Sequence, residues 1–96
     1  MRLRYTQPAL ADLDAVLEYI ALHSPHGAAR VHTRIQVILD LVLSHPHIGA
    51  RTDDPSIRRI NASPYPYLIF YEIADDEVII HAVRHGARDP SGMPGA

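Results

Sequence analysis

The residues best suited to chemistry in this sequence are a few charged and imidazole side chains within one apolar stretch, residues 67–85. They are Glu72, His81, Arg84 and His85. A guanidinium keeps its charge at any physiological pH, so Arg84 can hold an anion as a planar donor but cannot act as a general base. His85 beside it carries the imidazole that acid or base catalysis of phosphoryl transfer would need. The alternative for His85 is structural, as a strand-ending imidazole bonded to backbone.

Arg84 has two interpretations of its own, because a charge in an apolar strand needs a partner. It pairs with an internal acid such as Glu72, if the strand register allows this, or it meets an external anion. Two more arginines, Arg58 and Arg59, are adjacent in a short β-prone segment. Neighbouring side chains of a strand point to opposite faces, so these two arginines serve different surfaces.

Seven histidines suggest a metal site, but their spacing argues against one. His81 and His85 would lie about 13 Å apart along a strand, too far to share an ion. His45 and His47 flank a proline in a loop, with no carboxylate at a ligand spacing. The chain has no cysteine, which excludes disulfides and zinc-thiolate sites. The sequence therefore predicts neither a metal nor a cofactor.

Length and charge limit the function classes further. A chain of 96 residues makes one small domain, predicted to span residues 1–88, followed by a Gly/Pro-rich tail, residues 89–96, predicted to be disordered. The net charge is −2, with nine arginines and no lysine, which is not the basic balance of a nucleic-acid-binding domain. No apolar run reaches the roughly 18 residues of a membrane span. We therefore expect a cytoplasmic protein without sequence-specific nucleic-acid binding.

The stretch that must position Arg84 and His85 is predicted to be a β-hairpin. Its two arms are rich in aromatic and β-branched residues, and residues 74–77 supply a polar reversal. If Ile73 opposes Val78, alternation divides the side chains between two faces. The first face would hold Tyr67, Ile69, Tyr71, Ile73, Val78, Ile80, Ala82 and Arg84. The second would hold Leu68, Phe70, Glu72, Ile79, His81, Val83 and His85. Both faces are mainly apolar, so each needs a cover.

Two helices with the same start signal precede this hairpin. Thr6 and Pro8 give the capping hydroxyl and first-turn proline of a helix that runs to about His23. Residues 24–25, a serine and a proline, repeat the signal for a second helix that runs to about Ser44. Almost no loop separates the two helices, so they must fold back as a helical hairpin.

The remaining segments complete the fold prediction. Residues 2–5 alternate polar and apolar side chains and predict a strand, whereas residues 45–55 carry the Pro-Gly-Asp punctuation of a loop. Residues 56–61 predict another short strand. The order β-α-α-β-β-β predicts a two-layer α+β fold, with the helical hairpin packed on one face of a mainly antiparallel sheet.

The second half of the second helix has apolar side chains nearly all round. Among residues 37–43 only Asp40 is polar. A helix of this kind is buried on more than one side, against the sheet and against the first helix. A third apolar strip would need a partner, unless Leu39 or Leu43 simply lies exposed in so small a domain.

Several short motifs follow one another along the chain at characteristic spacing. They are Tyr5-Thr6, Ala9, Asp12-Leu13, Tyr19-Ile20, Ala28-Ala29, His45-Pro46 with Ile48-Gly49 and Arg51, Arg58-Arg59, Tyr67 to Tyr71 and Val83 to Asp89. In order and spacing, over about 85 residues, they resemble the ParE/RelE superfamily of type II toxins, closer to its ParE branch. The resemblance implies a toxin that is neutralised by a cognate antitoxin in a hetero-oligomer.

The two branches of the superfamily imply different activities. RelE-like members resemble ribonucleases that cut mRNA in the ribosome, using lysines, arginines and often a tyrosine near the C-terminus. This chain has no lysine, and no tyrosine follows Tyr71. The ParE-like branch, which the ending at residues 85–89 resembles better, is associated with poisoning DNA gyrase without a catalytic centre. The alternatives are a ribosome-dependent endoribonuclease, or an inactive toxin fold that only binds its antitoxin.

The resemblance also suggests which residues meet partners. The expected antitoxin is a ParD-like ribbon-helix-helix protein, and the expected target is DNA gyrase. The candidates for target or anion contact are Arg58, Arg59, Arg84, His85 and Arg88. The candidates for antitoxin contact are Val37, Leu39, Leu41, Leu43, Phe70 and Arg84. No catalytic residue is assigned.

Overall fold

A computed structural model describes residues 1–86, and it has the predicted order of elements with two additions, a 3₁₀ turn and a short strand. The elements are β1 (Arg2–Tyr5), α1 (Gln7–His23), α2 (Pro25–Ser44), a 3₁₀ turn (Pro46–Ile48), β2 (Ala50–Arg51), β3 (Ile57–Asn61), β4 (Tyr67–Ala74) and β5 (Glu77–His85). Strand β2 lies within the predicted loop, and two residues are too few to show a strand pattern. The predicted boundary at residue 88 and the predicted disordered tail lie outside the described residues.

The five strands form one mixed sheet in the order β1-β5-β4-β3-β2. Strand β1 runs parallel to β5, and the other neighbours are antiparallel. Both helices contribute to a core that also contains side chains of β4 and β5. The predicted two-layer α+β fold is therefore confirmed. Within residues 1–86, neither helix is long and apolar enough to span a bilayer.

Local capping bonds begin both helices where the sequence predicts them. The Thr6 hydroxyl accepts a hydrogen bond from the Ala9 amide at 3.2 Å, and the Ser24 hydroxyl accepts one from the Gly27 amide at 2.9 Å. Each cap satisfies an amide that the first helical turn leaves without a partner. Ser24 is both the C-cap of α1 and the N-cap of α2, which makes the turn between the helices as short as predicted.

The apolar part of α2 divides between the core and the surface. Leu39 is 2% exposed and lies in the core with Val42, while Leu43 is half-buried against it. Val37 and Leu41 are 49% and 40% exposed. The third apolar strip of α2 thus consists of Val37 and Leu41, rather than Leu39 or Leu43.

The hairpin has the predicted turn register but an unpredicted β-bulge. Ile73 pairs with Val78 as expected, but Tyr71 pairs with Ile80 and Phe70 with Ala82, which leaves His81 as an extra residue on β5. An extra residue moves every later side chain to the opposite face. The predicted face assignment of residues 82–85 is therefore wrong.

Beyond the bulge, each β5 residue follows its partner on β4. Val83 pairs with Ile69 and joins the core beneath the helices, and His85 pairs with Tyr67. Ala82 lies instead with Phe70 and Ile57 in a second, smaller apolar cluster.

Tyr71 fixes the loop between α2 and β2 to the sheet. Its hydroxyl donates to the Pro46 carbonyl at 2.6 Å and accepts from the Gly49 amide at 2.9 Å. The Arg58 guanidinium donates to the carbonyls of Gly49 at 2.8 Å and His47 at 3.2 Å. A Cβ atom at Gly49 would lie 2.6 Å from the Tyr71 hydroxyl, so only glycine fits this close approach.

The Tyr71 hydroxyl is the first feature of the fold that can be tested. Tyr71→Phe removes the hydroxyl and with it the hydrogen bonds to the buried Gly49 amide and the Pro46 carbonyl. We expect the free energy of unfolding to fall by about 1 to 3 kcal/mol. Tyr65→Phe is the control, because the half-buried Tyr65 hydroxyl makes no hydrogen bond with residues 1–86. Urea denaturation measures both variants. Equal stabilities for the two would contradict this role of Tyr71.

Tyr71 also predicts a response to alkaline pH. Burial raises its pKa above the usual 10.0, against smaller opposing effects of the Gly49 amide and the Arg58 charge. A raised pKa stabilises the fold below pH 10.0, and this contribution is lost as the pH rises through the folded-state pKa. We expect the wild type to lose stability more steeply above pH 10.0 than Tyr71→Phe, in urea titrations at several alkaline pH values. Parallel pH profiles would contradict the assignment.

Candidate protein-binding groove

A groove between α1 and β5 brings together Arg84 and His85, two of the predicted contact residues. Strand β1 pairs with β5 only as far as Ile80, so among residues 1–86 no strand lies beside the last part of β5 on this side. Helix α1 lies there instead, and a groove of about 460 Å³ separates it from β5. The groove is lined by Asp12, Ala15, Val16, Tyr19, Tyr67, Val83, Arg84 and His85. We call it the α1–β5 groove.

Asp12 joins the two walls of the α1–β5 groove. One carboxylate oxygen accepts a hydrogen bond from the Val83 amide at 3.1 Å, and the same oxygen forms an ion pair with the Arg84 guanidinium. The side chains of Arg84 and Asp12 are 27% and 23% exposed, so the pair is largely shielded from water. Asp12 thus accepts from the amide that a neighbouring strand would otherwise bind.

The internal acid that pairs with Arg84 is therefore not Glu72. The Glu72 carboxylate lies 2.8 Å from the His81 imidazole, and both side chains are partly exposed. Glu72 pairs in register with Ile79, and it meets His81 on the sheet face opposite the helices. The sequence could not show whether Arg84 pairs with Glu72, because the bulge changes the register between β4 and β5.

The rest of the α1–β5 groove is apolar and aromatic. Tyr67 and Val83 are buried, whereas Tyr19 on α1 is 63% exposed. The rings of Tyr67 and His85 meet edge to face with centroids 5.4 Å apart. An apolar floor with one charged pair is suited to holding a segment of another protein. The His85 contact favours the structural interpretation of this residue.

The other predicted contact residues lie elsewhere on the sheet. Arg58 is on β3 and is bound to the loop carbonyls of His47 and Gly49. Arg59 is exposed and pairs in register with Phe70, so it is on the face away from the helices. The structure therefore does not bring Arg58 and Arg59 together with Arg84. Arg88 lies outside the described residues.

The predicted antitoxin contacts are similarly divided. Val37 and Leu41 are exposed on α2, and Leu43 is half-buried. Leu39 and Phe70 are buried within this chain. Leu39 lies on the core side of α2, and Phe70 lies in the smaller cluster on the other sheet face. Of the six candidates, Val37 and Leu41 offer the most surface, and the half-buried Leu43 and Arg84 offer less. Within residues 1–86 there is no group of three ligand-type side chains that could hold a metal ion.

The fold and the groove define a class of small α+β proteins in which a helical hairpin covers one face of a mixed sheet. Residues 3–90 match the family described as the ParE toxin of type II toxin-antitoxin systems. The chain belongs to this family. It is therefore a toxin of the ParE/RelE superfamily, whose members pair with an antitoxin.

Relatives and solved structures come from both branches. Toxin RelE2 of Caulobacter vibrioides is 38% identical over 84 residues, which cover 88% of this chain and 93% of that protein. The fold is similar to that of the chromosomal ParDE system from P. aeruginosa, with a TM-score of 0.74, 24% identity, and coverage of 88% of this chain and 95% of the other. The isolated E. coli RelE toxin has a TM-score of 0.64, 22% identity, and coverage of 94% and 88%. These two likenesses concern the fold alone.

The role of Asp12 is testable by mutation. Asp12→Ala leaves the Val83 amide and the Arg84 guanidinium without this acceptor, and we expect it to cost about 1 to 3 kcal/mol of unfolding free energy. Asp14→Ala, an exposed position on the same helix, is the control and should cost little. Because Asp12 and Arg84 form one pair, the double variant with Arg84→Ala should lose less than the sum of the single losses. Strictly additive losses in urea denaturation would contradict the pairing.

Proposed function

We propose that this toxin acts by binding, as an inhibitor of DNA gyrase that a cognate antitoxin neutralises. The proposal makes it a protein without a catalytic centre, and the antitoxin a ParD-like ribbon-helix-helix protein. The family match to the ParE toxin supports this branch.

The observation that carries the proposal is that groups of this chain already bind most of the arginines that a ribonuclease would need. Two of the three candidate phosphate ligands, Arg58 and Arg84, are bound inside the chain, Arg58 to loop carbonyls and Arg84 to Asp12. A guanidinium neutralised by a shielded carboxylate has little charge to offer a scissile phosphate. The chain also has no lysine and a net charge of −2. These features favour binding over phosphodiester cleavage.

The proposed target contact is Arg59, the exposed member of the adjacent pair. It projects from the sheet face that the helices leave open, next to the small cluster of Ile57, Phe70 and Ala82. Arg59 itself is exposed on this face, so it can serve as the polar anchor of a protein contact. Arg84, His85 and Arg88 remain further candidates for this contact.

The proposed antitoxin contact includes the α1–β5 groove. The groove has an apolar floor, which suits a partner segment that carries apolar side chains. The exposed Val37 and Leu41 on α2 give the antitoxin a second apolar surface.

A ribosome-dependent endoribonuclease is the second candidate function. The observation in its favour is the 38% identity to a relative named Toxin RelE2. Such an enzyme would use Arg58 or Arg59 with Arg84 to hold the phosphate, and the Arg84–Asp12 pair would have to open first.

The two candidates differ in what the purified chain does in vitro. With gyrase and plasmid DNA, we expect the chain to accumulate cleaved plasmid, and reporter mRNA on translating ribosomes to remain intact. Arg59→Ala should weaken plasmid trapping by roughly tenfold, as for the loss of one charge-assisted hydrogen bond, with unchanged thermal unfolding. Arg51→Ala removes another exposed arginine and is the matched control.

Growth after induction tests the partner. Induction of the toxin should cause filamentation, and co-expression of the cognate antitoxin should restore growth. Rapid ribosome-dependent cleavage of reporter mRNA without plasmid trapping would overturn the proposal in favour of the ribonuclease.

A further inference from the structure

One exposed face of α2 changes in character along the helix, from basic to apolar. His26, Arg30, Arg34, Val37 and Leu41 recur at the spacing that places side chains on one face of a helix. Helix α2 has no acid before Asp40, although the chain as a whole is acidic. This face, called here the α2 stripe, thus has a cationic half toward its N-terminus and an apolar half toward its C-terminus.

The cationic half of the α2 stripe is one wall of a groove. Pro64 and Tyr65, in the turn between β3 and β4, form the opposite wall, and the volume between them is about 550 Å³. Arg34 holds the walls together, since its Nε atom donates to the Ser63 carbonyl at 2.6 Å. The groove extends along the helix to Val37, where the apolar half begins.

The two arginines of the α2 stripe are not neutralised within the described chain. Arg30 is exposed and makes no hydrogen bond or ion pair with residues 1–86, and Arg34 has no acidic partner there. Like charges four residues apart on a helix destabilise it by a few tenths of a kcal/mol. By contrast, Arg4 and Arg84 both have carboxylate partners. An anion that joins this groove would relieve the repulsion.

We propose that the α2 stripe binds a segment of the antitoxin in which carboxylates are followed by apolar side chains. The carboxylates would meet Arg30 and Arg34, and the apolar side chains would cover Val37 and Leu41. This inference rests on the proposed neutralisation by an antitoxin, and it adds the surface and the chemistry of the segment.

The observations favour a protein segment over a nucleic acid. The cationic half covers nine residues from His26 to Arg34, about 12 Å along a helix, which suits two or three carboxylates rather than a length of phosphate backbone. The exposed Val37 and Leu41 continue the same surface, and a phosphate backbone gains nothing from them. The net charge of −2 also opposes the approach of a long polyanion.

Charge reversal at Arg30 tests the cationic half. The probe is the antitoxin that restores growth in the co-expression experiment above, titrated against the full chain at low and high salt. We expect Arg30→Glu to weaken binding by about tenfold or more at low salt, and by less at high salt, as for the loss of charge-assisted contacts. Arg51→Glu changes the net charge equally at another exposed arginine and should have at most about a twofold effect.

A stability measurement on Arg30→Glu and two further variants at leucines serve as controls for this test. Glu at position 30 would pair favourably with Arg34 four residues on, so Arg30→Glu should melt no lower than the wild type. Leu41→Ser tests the apolar half, against Leu10→Ser at a similarly exposed leucine on α1. We expect only the Leu41 variant to weaken antitoxin binding, without a salt dependence.

The outcomes separate this inference from the proposed function. If the wild type binds the antitoxin but Arg30→Glu and Arg51→Glu bind it equally well, the α2 stripe is not the contact and the inference is overturned. If no antitoxin restores growth, the proposed neutralisation itself fails. Displacement of the antitoxin from the toxin by a short poly-glutamate peptide supports the inference. Stronger competition by an oligonucleotide of equal length would assign the α2 stripe to nucleic acid and contradict it.

Discussion

The contact on which the α1–β5 groove depends is the one between the Asp12 carboxylate and the edge of β5. Strand β1 has four residues and pairs with β5 only to Ile80, so the Val83 amide needs an acceptor that is not a strand. Asp12 supplies it from α1 and pairs with Arg84 at the same time. These two contacts hold α1 beside β5. They leave the groove open, because the Asp12 side chain replaces a neighbouring strand as hydrogen-bond acceptor at one position only.

The same pairing supports the proposal that the toxin acts by binding rather than by catalysis. Much of the charge on the sheet is already matched internally: Arg4 lies 2.7 Å from Glu77, and its hydrogen bond is the main reason that the pKa of Glu77 is lowered. Arg58 is occupied by the loop that Tyr71 fixes. Two of the exposed arginines that have no carboxylate partner within residues 1–86, Arg59 on the sheet and Arg30 on α2, lie on separate surfaces. One toxin can therefore present different cations to a target and to an antitoxin.

Features encoded by local signals could be predicted from the sequence. Features that depend on contacts between residues distant in the chain could not. The caps at Thr6 and Ser24 act within three residues, so both helix starts are correct. The bulge at His81 depends on the match between two whole strands, and it reversed the predicted faces of residues 82–85. Asp12 meets Val83 across 71 positions, a contact that no spacing rule suggests. Charge in an apolar strand still identified Arg84 as a residue that needs a partner, and the structure gives Asp12 rather than Glu72 as that partner.

The central claim, that this toxin works by binding gyrase, is tested most directly by sedimentation of the labelled chain with purified partners. In separate runs the chain would be mixed with gyrase holoenzyme and with vacant or translating ribosomes, each with and without antitoxin. The account predicts that the chain sediments with gyrase, remains at the top with ribosomes, and leaves gyrase when the antitoxin is added. Sedimentation with translating ribosomes and none with gyrase would contradict it.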